Sequence, residues 1–257
     1  MSKITNFVRV NGENYLQYPE VVCFTNTKHP AFQHKIEWLK IRFAEGLRIN
    51  LIYLEGIKRA VGFIEYVPGE FARRAVSAKD YMFIHCIYVY PNDIKGKGLG
   101  SMLLEDCMQD ARKIGKHGLA VVTSSKAFMA GSALFLKNGF ILVDTDTQGN
   151  ELMVKRFDDV PMPVFNDWKA KLAEIEGLQI LYSRQCPWVA RLIDEIKNSG
   201  ISEKLGIKIS ELQTAGEAQQ APSVYAVFNF IRDGRLLADR YVSFTRFNNI
   251  LKKEQLI

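Results

Sequence analysis

One segment constrains the fold more than any other: IKGKGLGSMLLEDC, Ile94 to Cys107. The run before it, MFIHCIYVY, is rich in β-branched and aromatic residues and reads as a strand. The run after it has helical spacing. Between them, Gly96, Gly98 and Gly100 alternate with other residues, and Lys95 and Lys97 flank the first glycine. A strand that turns into a helix through bare, basic backbone is an α/β element. Its usual ligand is an anion, because the first N–H groups of the helix are unpaired and the helix dipole favours negative charge. Glycine lets that backbone come close without a Cβ in the way. The competing reading is a plain glycine-rich turn with solvated lysines.

Spacing removes two common phosphate motifs. No glycine precedes Gly96 at the distance a G-x-x-x-x-G-K-[ST] loop needs, and after Gly96 and Gly98 the third glycine comes one residue early for G-x-G-x-x-G. The formal charge of +6 and pI near 9.0 favour polyanionic ligands, nucleotide cofactors among them. The lysines and arginines are scattered and carry no nucleic-acid motif, so no nucleic-acid partner is expected. Cys23, Cys86, Cys107 and Cys186 form no C-x-x-C pair and no zinc spacing with histidine, which predicts thiols and no metal. The first residues lack a signal-peptide core, and no stretch nears the roughly 20 apolar residues of a membrane span. These features predict a cytoplasmic protein with no membrane partner.

Along the chain, periodicity predicts a helix over HPAFQHKIEWLKIRFAEG, two strands in INLIYLEGIKRAVGFIEYV, a loop in PGEFARRAVSAKD and a strand in YMFIHCIYVY. A helix follows from about Ser101 to Ile114, with Leu104, Met108 and Ala111 buried and Glu105, Asp106, Gln109 and Lys113 wet. GLAVVTSS is a strand, AFMAGSALFLKNGF a helix, and FILVDT and ELMVKRF two strands. DDVPMPV suits a linker. The expected domains are 1–157, a linker with connecting helix over 158–176, and 177–257. The last part reads as strand, helix, strand, a polar stretch without periodicity, a hairpin at Asp233-Gly234, and a final helix.

Lys95-Gly96-Lys97-Gly98-Leu99-Gly100 nearly fits [QR]-x-x-G-x-[GA]. With the preceding strand and the later LFLKNGF, residues 1–157 resemble the GNAT acetyltransferases. The resemblance implies a GNAT-type mixed central sheet with flanking helices. It implies acetyl-CoA as co-substrate, its pyrophosphate held by Lys95, Gly96, Lys97, Gly98, Leu99, Gly100 and Ser101. Strand N–H groups at Ile87 and Val89 would lie by the thioester. The acceptor would be a small-molecule or peptide amine, entering near PGEFARRAV, and a homodimer is compatible with it. There are departures. Lys95 replaces Gln or Arg. Phe135 stands where the family often has the Tyr that protonates the leaving thiolate, and Phe128 stands where it often has Asn.

Amine acetylation needs a neutral nucleophile, a polarised carbonyl and a protonated leaving thiol. His85 is the best candidate base, four residues before Val89 and so expected on one strand face with Ile87 and Val89, with Cys86 and Tyr88 on the other. The alternative is a hydrogen-bonded core histidine. Ser132, three residues before Phe135, is a candidate replacement acid, as is water. Glu65 is a second base, a substrate anchor, or a surface or salt-bridged residue. Arg73 and Arg74 either recognise an acidic substrate or sit on a solvated loop.

In LYSRQCPWVARLIDEI, Cys186 stands between a strand and a helix start, where a thiol pKa falls. The order of elements resembles a thioredoxin-like fold, which implies a cis-proline at Pro222, while Val189 replaces the second cysteine. A GNAT half joined to such a tail resembles the bacterial YoaP-like proteins. The leading expectation is a direct acetyl-CoA-dependent N-acetyltransferase with no acyl-enzyme. The rival is a CoA-binding or thiol-sensing protein with weak or no transferase activity.

Overall fold

A computed structural model describes residues 4–257. By compactness the chain divides into two units. The first comprises residues up to 27, 39–72 and 77–164, and the second comprises 28–38, 73–76 and 165–257.

The first unit is built on seven strands: β1 (Ile4–Val10), β2 (Arg48–Leu54), β3 (Gly62–Pro68), β5 (Met82–Val89), β6 (Gly118–Ser124), β7 (Ile141–Thr145) and β8 (Asn150–Arg156). Their order is β1-β2-β3-β5-β6-β8-β7. β5 and β6 run parallel, and the other neighbours pair antiparallel. The mixed sheet with flanking helices is as expected. α1 (Pro30–Ala44) closes at Gly46, whose φ of 84° is the left-handed value a helix end asks of glycine. α2 (Leu99–Lys113) is the crossover a parallel pair requires. It buries Leu103, Leu104, Cys107, Met108 and Ala111 against Ile52, Ile64, Tyr66, Met82, Ile84 and Val121 of the sheet. Burying a side chain of this size is worth about 1.5–3 kcal/mol.

One detail of α2 departs from expectation: Asp106 is not purely wet. Asp110 is buried. Asp110 accepts from Arg48 at 2.7 and 2.8 Å and from the Tyr66 hydroxyl at 2.8 Å. Asp106 accepts from Arg9 at 2.9 Å and from Asn50, which also donates to Tyr66 at 2.9 Å. These bonds clamp α2 to β1, β2 and β3. The helix expected over AFMAGSALFLKNGF shrinks to α3 (Ser132–Lys137), because Phe128 has φ +65° and Gly131 is extended.

The second unit has a four-stranded sheet of β10 (Leu178–Tyr182), β11 (Lys208–Glu211), β12 (Phe228–Arg232) and β13 (Arg235–Ala238), ordered β11-β10-β12-β13. β10 and β11 are parallel, and the other two pairs antiparallel. Asp233 and Gly234, both at positive φ, make the hairpin turn. α4 (Trp168–Ala173) is the connecting helix, and α5 (Pro187–Asn198) and α8 (Phe244–Lys253) follow expectation. Two helices were not foreseen: α6 (Ile201–Leu205) and α7 (Ala215–Gln219). α7 opens with a capping box between Thr214 and Glu217. The two-residue strands β4 (Val76–Ser77) and β9 (Val164–Phe165) lie where the chain passes between units. Among the described residues the cis peptide bond is Tyr90–Pro91, so Pro222 is trans, contrary to the implied cis-proline.

Arg73 and Arg74 are not on a solvated loop. Both are about 1% exposed and belong to the second unit. Arg74 donates to Gln185 Oε1 at 2.8 Å and lies over the Tyr225 ring, 4.2 Å from its centre. Arg73 donates to the Gln213 carbonyl, and the Ala75 N–H donates to the Val224 carbonyl at 3.1 Å.

Candidate active site

The site of interest in the first unit lies where β5 leaves β6. The two strands pair only from Met82–Leu119 to Ile84–Val121. β5 then continues to Val89, paired with β3 alone, and β6 continues to Ser124, paired with β8. The sheet therefore opens at the carboxyl ends of its two parallel strands, where ligands of α/β sheets bind. The Tyr90 N–H donates to the Val61 carbonyl at 2.8 Å. Alternation along a strand then turns the N–H groups of Ile87 and Val89 away from β3 and toward the opening.

The glycine corner borders this opening. A one-turn 3-10 helix, Asn92–Ile94, leads from Pro91 to Lys95. Gly96 and Gly98 have φ of 81° and 84°, and a Cβ on either would meet nothing within 4 Å. Their conformation excludes ordinary side chains, and the space above them is open. Gly98 is the N-cap of α2 and offers no side-chain acceptor, so the N–H groups that follow it are left for a ligand. Lys95, Gly96, Lys97 and Gly98 are exposed, and the Lys95 ammonium lies 5.2 Å from the centre of the Tyr88 ring. Gly100 differs: a Cβ there would come 3.2 Å from Leu134 of α3. Ser101 Oγ accepts from Asn138 Nδ2 at 3.0 Å, which fixes the start of α2 to the end of α3. A cradle with open space, positive φ and free N–H groups fits a pyrophosphate.

His85 is not where strand alternation put it. The β3–β5 register passes from Glu65–Cys86 to Tyr66–Ile84, so His85 is the extra residue of a β-bulge. Before the bulge Met82 and Ile84 face α2. After it Ile87 and Val89 do. His85 therefore shares the opposite face with Glu65, Cys86 and Tyr88, and the expected grouping with Ile87 and Val89 is overturned. His85 Nδ1 lies 3.4 Å from Glu65 Oε1, with the two side chains 1% and 2% exposed. Glu65 is thus neither a surface residue nor alone. Sequence reasoning missed this pair. The only trace of it is that MFIHCIYV is apolar on both faces and so cannot reveal a shift of phase.

Ser132 opens α3 and is half-buried, on the α2 side of the sheet and so across it from His85. Phe135 is fully buried, packed edge-on against Phe140 at 5.3 Å, and lines core. Burial pushes the Cys107 thiol well above its ordinary pKa. In the second unit Cys186 is the N-cap of α5, half-buried, with Pro187 opening the helix.

Residues 17–140 match the model of the acetyltransferase (GNAT) family. Over 253 residues, 95% of this chain and 98% of the relative, the sequence is 27% identical to YoaP of Bacillus subtilis (strain 168), called an uncharacterized N-acetyltransferase. Among the solved structures that resemble the fold are the following two. One is yncA of Salmonella typhimurium, described as an acetyltransferase and solved with acetyl-CoA. It is 19% identical, over 62% of this chain and 97% of its own, at a TM-score of 0.44. The other is a ribosomal-protein-alanine N-acetyltransferase from Brucella melitensis, 18% identical, over 59% and 99%, at 0.40.

Proposed function

We propose, from the match of residues 17–140 to the acetyltransferase (GNAT) family model, that the chain transfers an acetyl group from acetyl-CoA directly to an amine. The observation that carries this reading is the opening between β5 and β6, bordered by the Gly96–Gly98 cradle and by the N–H groups of Ile87 and Val89. Bound there, acetyl-CoA supplies an activated acetyl group. Lys95 to Ser101 would hold its pyrophosphate, with Lys95 and Lys97 adding charge at the rim. The N–H groups of Ile87 and Val89 would polarise the acetyl carbonyl.

The two candidate proton carriers lie on opposite faces of the sheet. That suits a reaction in which the amine and the leaving thiol approach the opening from opposite sides. His85 would take the proton of the attacking amine as general base. Ser132 or water would return a proton to the thiolate. Phe135 has no proton to donate in that role. The acceptor is a small-molecule or peptide amine. We further propose that the second unit is a thioredoxin-like domain. Its strand order with one parallel pair and its Cys186–Pro187 helix start support this; Val189 and the trans Pro222 do not.

The test is acetyl-CoA turnover with a panel of amines, beside CoA binding by calorimetry. Gly98→Asp should abolish CoA binding, since a side chain and a negative charge both intrude on the cradle. His85→Gln should lower turnover by roughly two to four orders of magnitude with CoA binding kept. Unchanged CoA affinity in a folded Gly98→Asp protein would remove the acetyl-CoA reading.

A further inference from the structure

The β-bulge that displaces His85 also decides which atom it meets. As the extra residue of β5, His85 stands against the Glu65–Tyr66 junction of β3, and its Nδ1 faces the Glu65 carboxylate at 3.4 Å. Bulges re-aim a side chain, and they gather next to active sites. Both side chains are nearly inaccessible. A buried carboxylate is costly unless it is paired, and the His85 ring nitrogen 3.4 Å away is one partner for it. β3 is an interior strand, paired with β2 on one side and β5 on the other, so the carboxylate is mounted on rigid structure.

We infer that Glu65 is a positioning residue for His85: its carboxylate accepts from Nδ1–H, which keeps the neutral ring's proton on Nδ1, and leaves Nε2 as the nitrogen that receives the proton of the acceptor amine. The inference rests on the reading of His85 as the base. When the amine nitrogen forms its bond to the acetyl carbon, its surplus proton passes to Nε2 and the CoA thiolate departs with the bonding pair. The ring then carries a positive charge beside a fixed negative one. A separation of 3.4 Å is loose for a charge-assisted hydrogen bond, and it closes as the ring gains charge. The same division of labour, one ring nitrogen oriented and the other reactive, operates wherever a carboxylate backs a catalytic histidine. It gives Glu65 a role distinct from that of a second base or a substrate anchor.

The experiment is nitrogen-15 NMR of the full chain labelled in its imidazole rings, with His85 assigned by its loss in His85→Gln. In the native protein the neutral His85 ring should carry its proton on Nδ1. In Glu65→Gln the population should move toward the Nε2–H tautomer. Glu65→Asp, which keeps the charge on a shorter arm, should hold part of the native signal. Turnover of acetyl-CoA with n-butylamine as probe should fall about 10–100-fold in Glu65→Gln, with KM for acetyl-CoA unchanged and partial rescue in Glu65→Asp. A native ring protonated on Nε2 overturns the inference without any variant. So does a tautomer that ignores Glu65→Gln. A His85→Gln protein of full activity would instead overturn the reading of His85 as base, while the tautomer result would still report on the pair.

Discussion

Phe135 occupies a sequence position that the family resemblance gives to a proton donor, yet its ring lies in sealed core, edge-on to Phe140. A hydroxyl placed there has no solvent. Phe135→Tyr should therefore destabilise the protein by about 1–3 kcal/mol, the cost of a buried polar group without a partner, and should not raise turnover. Urea unfolding monitored beside the acetyl-transfer assay checks both halves. Cysteine reactivity makes a second test at this scale. Cys107 is buried on α2, and burial holds its thiol well above the ordinary pKa, whereas half-buried Cys186 begins α5. Iodoacetamide should label Cys186 faster than Cys107 in the native protein, read by mass spectrometry of the peptides. Equal rates would make Cys186 a plain helix cap.

At the scale of elements, α2 is held by apolar packing and by a polar clamp. Tyr66→Phe removes one hydroxyl and leaves Asp110 with Arg48 and Asn50 with Asp106, so it should cost about 0.5–1.5 kcal/mol. Asp110→Ala leaves the buried Tyr66 hydroxyl without its acceptor and should cost about 2–4 kcal/mol. A reversed order in thermal or urea unfolding would mean that the clamp is incidental. Most elements were legible because their periodicity is plain: α1, α2, α5 and α8 carry helical stripes, and Asp233-Gly234 names its turn. α7 was missed: its one signal is Thr214-x-x-Glu217, a capping signature without an amphipathic stripe beside it. The bulge at His85 was not legible. Register is a property of two strands, and β5 is apolar on both faces, so no alternation existed to be broken.

For the whole molecule, the linear order of the chain understates its organisation. Residues 28–38 and 73–76 count with the second unit although nearly ninety residues separate 76 from 165. Hydrophobic periodicity tells which face of an element is buried, not which partner buries it, so this membership was invisible in sequence. Within the second unit Arg73, Arg74 and Ala75 bond to Gln213, Gln185 and Val224. A fragment of residues 165–257 would lose those bonds and expose their partners. It should unfold at lower urea than the same residues in the full chain, read by hydrogen exchange at β12. Equal protection would mean that 28–38 and 73–76 are passengers.

The three-residue seam between β5 and β6 has a kinetic consequence. On one side, β2, β3 and β5 pair across short connections, and on the other so do β7 and β8, while β1 joins β2 across α1. The seam joins the two groups through a parallel pairing across the whole of α2, so its loop must close before any of its few bonds is gained. It should form late on the way to the native state. Val121→Ala, at the last paired position, should then speed unfolding and hardly slow refolding, giving a φ-value near zero in a stopped-flow chevron. A φ-value near one would make the seam a nucleus instead.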